Sequence, residues 1–173
     1  MKYLFLFIST FAFAQQTQFV DFKSVLGKIA INPTEKIVSG DVIYDFEVLK
    51  PIDTIKIDAQ NMTFSNIKVN GKSISFLNTT KQLQLIFPFK KGKNKLTFEY
   101  SAKPKQTMYF VGSEENNNLE IWTQGQGKYT SHWFPSFDDV NEKLIFNISV
   151  SYNKNFVTIS NGLLESKGTY PSL

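Results

Sequence analysis

The stretch that decides the fold reads Val-Ser-Gly-Asp-Val-Ile-Tyr-Asp-Phe-Glu-Val, residues 38–48. Apolar side chains alternate with polar or charged ones along most of it, which is the pattern of a β-strand with one face on a core and the other in water. The same alternation returns in shorter runs, at residues 55–57, 67–69, 74–76, 83–87, 96–100 and 144–152. The sequence therefore predicts an all-β fold.

Turn-forming residues separate these runs at short intervals. We expect turns at five pairs, which are Asn32-Pro33, Ser39-Gly40, Lys50-Pro51, Asn70-Gly71 and Lys91-Gly92. Asn70-Gly71 is the most specific of them, because both residues tolerate the positive φ of a tight hairpin. Many short strands joined in this way predict one domain, residues 15–173, built as an antiparallel β-sandwich or saddle of sheets.

The first fourteen residues are typical of an export signal. Lys2 supplies a positive charge, an apolar run follows from Tyr3 to Phe13, and Ala12-Phe13-Ala14 is a small-x-small cleavage site. The apolar run is too short to span a bilayer core of about 30 Å as a helix. We therefore expect residues 1–14 to be a signal peptide, no membrane span to remain after its removal, and a periplasmic or extracellular location.

Composition excludes several kinds of site. The chain of 173 residues has no cysteine and a single histidine, His132. Disulfides, thiolate nucleophiles and zinc–cysteine sites are excluded, and one imidazole is too few for a zinc centre that needs two or three. We expect no catalytic residue, no metal ligand and no cofactor in this chain itself.

The basic balance does not predict a nucleic-acid partner. The formal net charge is +4, but all nineteen basic residues are lysines, and nucleic-acid-binding proteins usually also use arginine for bidentate contacts. The one modest cluster, Lys90 to Lys95 around Gly92, is explained by a solvated hairpin turn between two strands. We expect no nucleic-acid binding.

The alternation lapses in the segment Trp122–Asp139, which holds both tryptophans and the histidine. Loops carried on a rigid β scaffold often bind ligands. The alternative is that its aromatic residues, Trp133, Phe134 and Phe137, only plug the end of the sandwich. We interpret His132 as a packed or surface residue, and the adjacent Asp138 and Asp139 as turn caps, because neighbours on an extended backbone point to opposite faces.

Several motifs, taken in order, resemble the aminopeptidase N family of zinc metallopeptidases. They are Pro33–Val42 as a first hairpin, the turn Val69-Asn70-Gly71-Lys72, Thr123-Gln124-Gly125-Gln126, Trp133-Phe134-Pro135-Ser136-Phe137-Asp138 and Ile159-Ser160-Asn161-Gly162. In that family an N-terminal β domain carries a Thr-Gln-x-Glu segment, a Phe-Pro-x-x-Asp segment and a Ser-Asn-Gly turn, in this order. The resemblance extends from about Val20 to Leu164 and implies the fold of that β domain.

The resemblance also implies what this sequence lacks. In the family, zinc is held by His-Glu-x-x-His and a downstream glutamate in a separate helical domain, with a Gly-x-Met-Glu-Asn segment nearby. None of these motifs occurs in the chain. The family's β domain also continues for a few more strands. We therefore expect a truncated or split member, or a fragment of a longer gene, that is inactive alone and ends beside an uncovered sheet edge.

The part of the site that the resemblance assigns is the substrate end. In the family, the glutamine of Thr-Gln-x-Glu lines the pocket for the first side chain, and its glutamate binds the free α-amine of the peptide. The matching residues are Gln124 and Gln126, on either side of Gly125, and we take the three as substrate-binding. Gln126 departs from the usual acid and resembles the Gln-x-Gln arrangement of the leukotriene hydrolase branch. The alternative interpretation is a pair of exposed or turn-bonding amides.

Two functions follow as hypotheses. The first is the substrate-positioning domain of an exported aminopeptidase N-like enzyme, which removes N-terminal residues from peptides; its partners would be the catalytic domain of a parent or split aminopeptidase, and peptide N-termini. Zinc would belong to the full-length family. The alternative is a stand-alone secreted β-sandwich module that binds a peptide or a glycan through the aromatic loop.

Overall fold

The computed structural model describes residues 15–126, 128–153 and 156–168. The predicted signal peptide, residues 1–14, lies outside the described residues. Within them the chain forms eleven strands and two short 3-10 turns, Gln16–Gln18 and Thr130–His132. The strands are β1 (Val20–Asn32), β2 (Ile37–Val48), β3 (Ile52–Asp58), β4 (Met62–Val69), β5 (Lys72–Ser73), β6 (Ser75–Asn78), β7 (Gln82–Phe89), β8 (Gly92–Ala102), β9 (Met108–Val111), β10 (Glu120–Thr123) and β11 (Ile145–Ser151). No helix in this part of the chain is long and apolar enough to cross a membrane.

The strands group into three sheets. A six-stranded sheet has the order β11-β1-β2-β8-β4-β5, a three-stranded sheet has the order β3-β7-β6, and β9 and β10 form a separate hairpin. All neighbours pair antiparallel except β1 and β11, which run parallel. The all-β, mainly antiparallel prediction is confirmed, and the parallel edge pair is a feature that the sequence did not indicate.

The core lies between the six-stranded and three-stranded sheets. From Val42 to Val48, β2 alternates buried and half-buried residues, as its sequence predicted. The ring of Phe46 in β2 contacts that of Phe89 in β7, with centroids 6.0 Å apart and nearly perpendicular planes. Burial of each such ring contributes roughly 1.5–3 kcal/mol, and edge-to-face contacts add to it. The two sheets therefore form a sandwich.

The predicted turns at Asn32-Pro33 and Asn70-Gly71 are confirmed. The side chain of Asn32 accepts a hydrogen bond from the Glu35 amide at 3.0 Å and closes the β1–β2 turn. Asn70 and Gly71 have φ angles of 50° and 79° and join β4 to β5. Both conformations are those that asparagine and glycine adopt most readily.

The turn predicted at Ser39-Gly40 was wrong, whereas the chain does bend at Lys91-Gly92 but not as the hairpin that was expected there. Ser39 and Gly40 lie inside β2, where Gly40 lets β1 approach closely, because a Cβ there would overlap the carbonyl oxygen of Lys28. Lys90 and Lys91 are exposed as expected, but they do not make a hairpin. They connect β7 of the three-stranded sheet to β8 of the six-stranded sheet.

The strand β11 forms one edge of the large sheet. Phe146 and Ile148 lie opposite Val25 and Gly27 of β1, yet both remain over a third exposed. Residues 156–168 contain no strand or helix, and their apolar side chains, Val157, Ile159, Leu163 and Leu164, are exposed. This edge of the sheet is therefore apolar and uncovered in the part of the chain that the structure describes.

Gly27 provides a test of how tightly β1 and β11 pack. A Cβ at this residue would lie 2.7 Å from Cε2 of Phe134, which is fully buried, and 2.9 Å from Cδ1 of Ile148. We expect Gly27→Ala to lower the free energy of unfolding by about 1–3 kcal/mol, because the Phe134 ring must shift in a filled core. Urea unfolding followed by tryptophan fluorescence measures the change. Gly168→Ala is the control, since nothing lies within 4 Å of its Cβ; equal midpoints for the two variants would contradict the packing.

Candidate functional site

The β9–β10 hairpin carries the predicted substrate loop at its end. One face of the hairpin is anchored, because Phe110 and Ile121 pack against the core. On the other face Tyr109 pairs with Trp122, their ring centroids 4.4 Å apart, and both side chains are more than a third exposed. The hairpin is thus fixed from behind and presents aromatic rings in front. Gln124 follows directly after β10.

The loop residues Gln124, Gly125 and Gln126 are all exposed. The backbone amide of Gln124 donates to the carbonyl oxygen of Thr107 at 2.8 Å, which fixes the point where the loop begins. A Cβ at Gly125 would lie 3.1 Å from Oγ1 of Thr130, so glycine allows this close approach. Within the described residues, neither glutamine side chain has a hydrogen-bond partner. The side-chain amides of both glutamines are therefore free to contact a ligand or a neighbouring domain.

The second half of the segment Trp122–Asp139 is buried, in contrast to its first half. Phe134, Pro135 and Ser136 are inside the sandwich. The Tyr44 hydroxyl donates to the carbonyl oxygen of Pro135 at 2.6 Å, while Ser136 and Asp58 exchange two backbone hydrogen bonds of 2.9 and 3.0 Å. Since Tyr44 belongs to β2 and Asp58 to β3, this half joins the two sheets. The plug interpretation is confirmed for this half, and ligand binding by the exposed first half stays a prediction.

The two aspartates after the buried segment have different roles. Asp139 caps a turn, because its Oδ1 accepts from the Asn141 amide at 3.0 Å, and that prediction is confirmed. The cap prediction was wrong for Asp138, whose Oδ2 accepts from the Ser131 hydroxyl at 2.8 Å and whose amide donates to Asp58. Burial raises the pKa of Asp138, and the Ser131 hydrogen bond opposes that shift only in part. Asp138 thus holds the loop to the sandwich.

His132 lies beside the loop as a partly buried residue, as predicted. Its Nε2 lies 2.9 Å from Nε2 of Gln106, and its ring is 5.9 Å from that of Tyr129. Burial lowers the pKa of His132, against the influence of Asp138. No three histidine, aspartate or glutamate side chains among the described residues come together as a metal site. The donor set in this part of the chain does not fit zinc.

Glu142, which follows the buried half of the segment, is a partly buried residue that the sequence did not indicate. Its Oε1 accepts from the Phe22 amide at 3.1 Å, at a bulge in β1. Burial raises the pKa of Glu142 to about 7; the Phe22 hydrogen bond opposes the shift, and the charges of Asp21 and Asp139 add to it. No local pattern marks such a glutamate, because its environment comes from strands more than a hundred residues earlier in the chain.

Glu142 should make the stability depend on pH. Its folded-state pKa lies above the unfolded value of 4.5, so the folded state binds the proton more tightly. The contribution of Glu142 to the free energy of unfolding therefore falls as pH rises from about 4.5 to 7, and it stays lower above that range. Glu142→Gln keeps the acceptor for Phe22 and carries no charge. We expect it to be more stable than the wild type at pH 8 by about 1 kcal/mol, less than the full shift implies because the carboxyl is half-buried only.

Urea midpoints measured between pH 4 and pH 8 test this expectation. Glu35→Gln, a change at an exposed turn residue, serves as the control and should leave the pH dependence of the wild type intact. The wild-type profile also contains the titration of His132, whose lowered pKa acts in the opposite direction, so the test is the difference between wild type and Glu142→Gln. A difference that does not grow between pH 5 and pH 7 would contradict the role assigned to Glu142.

The fold and the loop together define a class of domain, namely a β-sandwich that holds a polar loop rigidly at its surface and contains no cluster of metal ligands among its described residues. Residues 27–172 match the model of the Peptidase M1 N-terminal domain. The chain belongs to this family, and the predicted resemblance to zinc aminopeptidases is confirmed.

Individual relatives agree with this assignment. The probable aminopeptidase 1 of Sulfurisphaera tokodaii is 25% identical over 126 residues, which are 68% of this chain and 16% of that protein. The M1 zinc metallopeptidase of Deinococcus radiodurans, solved with a Tyr-Ser-Ala substrate, has a TM-score of 0.66 at 16% identity over 77% of this chain and 32% of that chain. Native leukotriene A4 hydrolase from Saccharomyces cerevisiae has a TM-score of 0.67 at 14% identity over 83% of this chain and 26% of that chain.

These matches differ in what they establish. At such low identity the likeness to the solved structures shows a shared fold. The chain spans about a sixth of the length of the curated relative and about a third or a quarter of the solved chains.

Proposed function

We propose that this chain is the substrate-positioning N-terminal domain of an exported M1 aminopeptidase, whose separate catalytic domain supplies the zinc and the chemistry. The observation that carries the proposal is the exposed loop Gln124–Gln126, held at the end of an anchored hairpin on a domain of the M1 N-terminal family. Export rests on the signal-like residues 1–14.

In this proposal the two glutamines contact the start of a peptide. The side chain of Gln124 lines the pocket for the first residue, and the carbonyl oxygen of Gln126 accepts a hydrogen bond from the α-ammonium group. A neutral amide lacks the charge-assisted part of such a bond, a difference of roughly 1–2 kcal/mol. The rest of the recognition of the ammonium charge is therefore left to the catalytic domain, and the partners of this chain are that domain and peptide N-termini.

The exposed face of the hairpin supports a partner on this side. Trp122 lies two residues before Gln124, and its ring packs at a tilt against that of Tyr109, with both side chains exposed. Aromatic side chains of this kind are enriched in protein interfaces. A catalytic domain that covers them would also close over Gln124 and Gln126, and so complete the cleft.

The role of Gln126 can be measured in a full-length M1 aminopeptidase that has the same Thr-Gln-Gly-Gln loop. Alanine at the residue matching Gln126 should raise the KM for an alanyl anilide roughly threefold to tenfold, because one hydrogen bond to the ammonium is lost. The matched control is alanine at the residue matching Gln18, an exposed glutamine before β1. An unchanged KM in the Gln126 variant would remove the assignment.

The isolated chain should neither hydrolyse alanyl or leucyl anilides nor bind stoichiometric zinc. The physical reason is the donor set, since one histidine cannot make the three-ligand site of a catalytic zinc. Elemental analysis of the purified protein, together with an anilide assay in added zinc, measures both. Stoichiometric zinc accompanied by turnover would refute the division of labour proposed above.

One observation favours a second function, a stand-alone secreted module that binds a peptide or a glycan. The contacting rings of Tyr109 and Trp122 form an exposed aromatic surface of the kind that binds apolar faces of ligands. The DNA that follows the codon for Leu173 discriminates between the two. A reading frame that continues and encodes His-Glu-x-x-His supports the aminopeptidase domain. A stop codon that ends a well-expressed, independent frame supports the module.

A further inference from the structure

We propose that Thr107 is the positioning residue of the substrate loop, a clamp that closes both ends of the segment from Gln124 to Tyr129. That the clamped loop serves peptide recognition rests on the function proposed above. The clamp itself is a statement about the geometry of this chain alone. Thr107 lies just before β9 and so belongs to the base of the same hairpin.

One residue contacts the two ends of the loop at once. The carbonyl oxygen of Thr107 accepts from the Gln124 amide at 2.8 Å, where the loop begins. Its hydroxyl Oγ1 donates to the carbonyl oxygen of Tyr129 at 3.1 Å, where the loop ends. Thr107 is only 4% exposed, so its own polar groups are buried, while its hydroxyl bond to the exposed Tyr129 is buried in part. Loss of either partner would leave a buried polar group without its bond, which strengthens the constraint.

The backbone of Thr107 is in an uncommon conformation. Its φ is +68°, in the left-handed region that β-branched residues rarely adopt. Such a conformation persists only where the surrounding structure holds it, and it concentrates at functional sites. In this conformation the carbonyl and the hydroxyl of one residue reach the two ends of the loop.

The carbonyl group of Tyr129, to which Thr107 donates, takes part in further contacts at the end of the loop. The carbonyl oxygen of Tyr129 also accepts from the His132 amide at 3.2 Å, and so it belongs to the short turn Thr130–His132. Thr130 in turn lies against Gly125 in the middle of the loop. A chain of contacts therefore leads from Thr107 through Tyr129 and Thr130 back to Gly125.

The clamp matters because the two glutamine side chains have no hydrogen-bond partner of their own within the part of the chain that is described. Their positions depend on the backbone that carries them. Groups that recognise a ligand must be held to within a fraction of an ångström to be effective. The geometry thus assigns this function to a buried threonine that itself lies outside the Gln124–Gln126 loop.

Amide hydrogen exchange of the ¹⁵N-labelled chain tests the clamp by three substitutions. Thr107→Val removes the hydroxyl donor but keeps the branched shape, whereas Thr107→Ser keeps the hydroxyl. Thr63→Val is the control. The hydroxyl of Thr63 also donates to a backbone carbonyl, that of Ser101, but Thr63 lies on β4 and not beside the loop. In the wild type we expect the Gln124 amide to exchange about tenfold more slowly than the Gln126 amide, because only the former is bonded to a buried oxygen.

The expected result is local. Thr107→Val should accelerate exchange between Gln124 and Ser131 roughly threefold to tenfold, the effect of one lost hydrogen bond, and leave the amides of β2 and β8 within twofold of the wild type. Thr107→Ser and Thr63→Val should leave the loop unchanged. Uniform acceleration through the core, no acceleration in the loop, or failure of Thr107→Ser to restore wild-type rates would overturn the clamp. If Thr107→Val does not fold, a wild-type Gln124 amide that exchanges as fast as that of Gln126 overturns it instead.

These measurements need neither a peptide nor a catalytic domain. A local effect of Thr107→Val together with an unchanged KM for the Gln126 variant would keep the clamp and remove the substrate role. A uniform effect together with a raised KM would do the reverse. The two proposals therefore fail separately.

Discussion

The rest of this domain depends on one interaction, the hydrogen bond that the buried hydroxyl of Tyr44 donates to the carbonyl oxygen of Pro135. Tyr44 is fully buried, and burial raises the pKa of its hydroxyl well above its ordinary value, so the group stays neutral and must find a partner inside the protein. It finds the carbonyl oxygen of Pro135 at 2.6 Å. The segment that contains Pro135 is thereby fixed between the sheets, and the exposed loop before it acquires a firm base.

This arrangement separates the part of the segment that is buried from the part that is exposed. Phe134 fills the space beside Gly27 and contacts the rings of Tyr100 and Phe146, so it ties β8, β1 and β11 together. Gln124 and Gln126, only a few residues earlier, are exposed. A loop built in this way needs little ordering when a ligand binds, because its ends are already held by the core.

The carboxyl groups near the buried half of the segment bond to the sandwich and not to the loop Gln124–Gln126. Asp138 and Glu142 are the carboxyl groups with a raised pKa among the described residues, and they accept hydrogen bonds from the Ser131 hydroxyl and from the Phe22 amide, respectively. The loop itself presents neutral amides. In the function that we propose, this domain contributes shape and hydrogen bonds to a cleft, and the charged and metal-bound groups of the reaction belong to a different part of a longer protein.

The sequence by itself determined the all-β class and the alternating burial of β2, but its alternating runs did not include β1, β9 or β10. Alternation at Val42, Tyr44 and Phe46 predicts burial because the period of two is a local property of a strand, and the motifs between Pro33 and Gly162, taken in order, indicate the family without any coordinates. The tertiary structure decided the rest. Lys90 and Lys91 connect two sheets, Gly40 lies inside a strand, β11 runs parallel to β1, and Thr107 closes a loop seventeen residues or more away, because each of these depends on which distant strands meet. A single sequence carries no signal for such contacts, since they are made between residues that are neighbours only after the chain has folded.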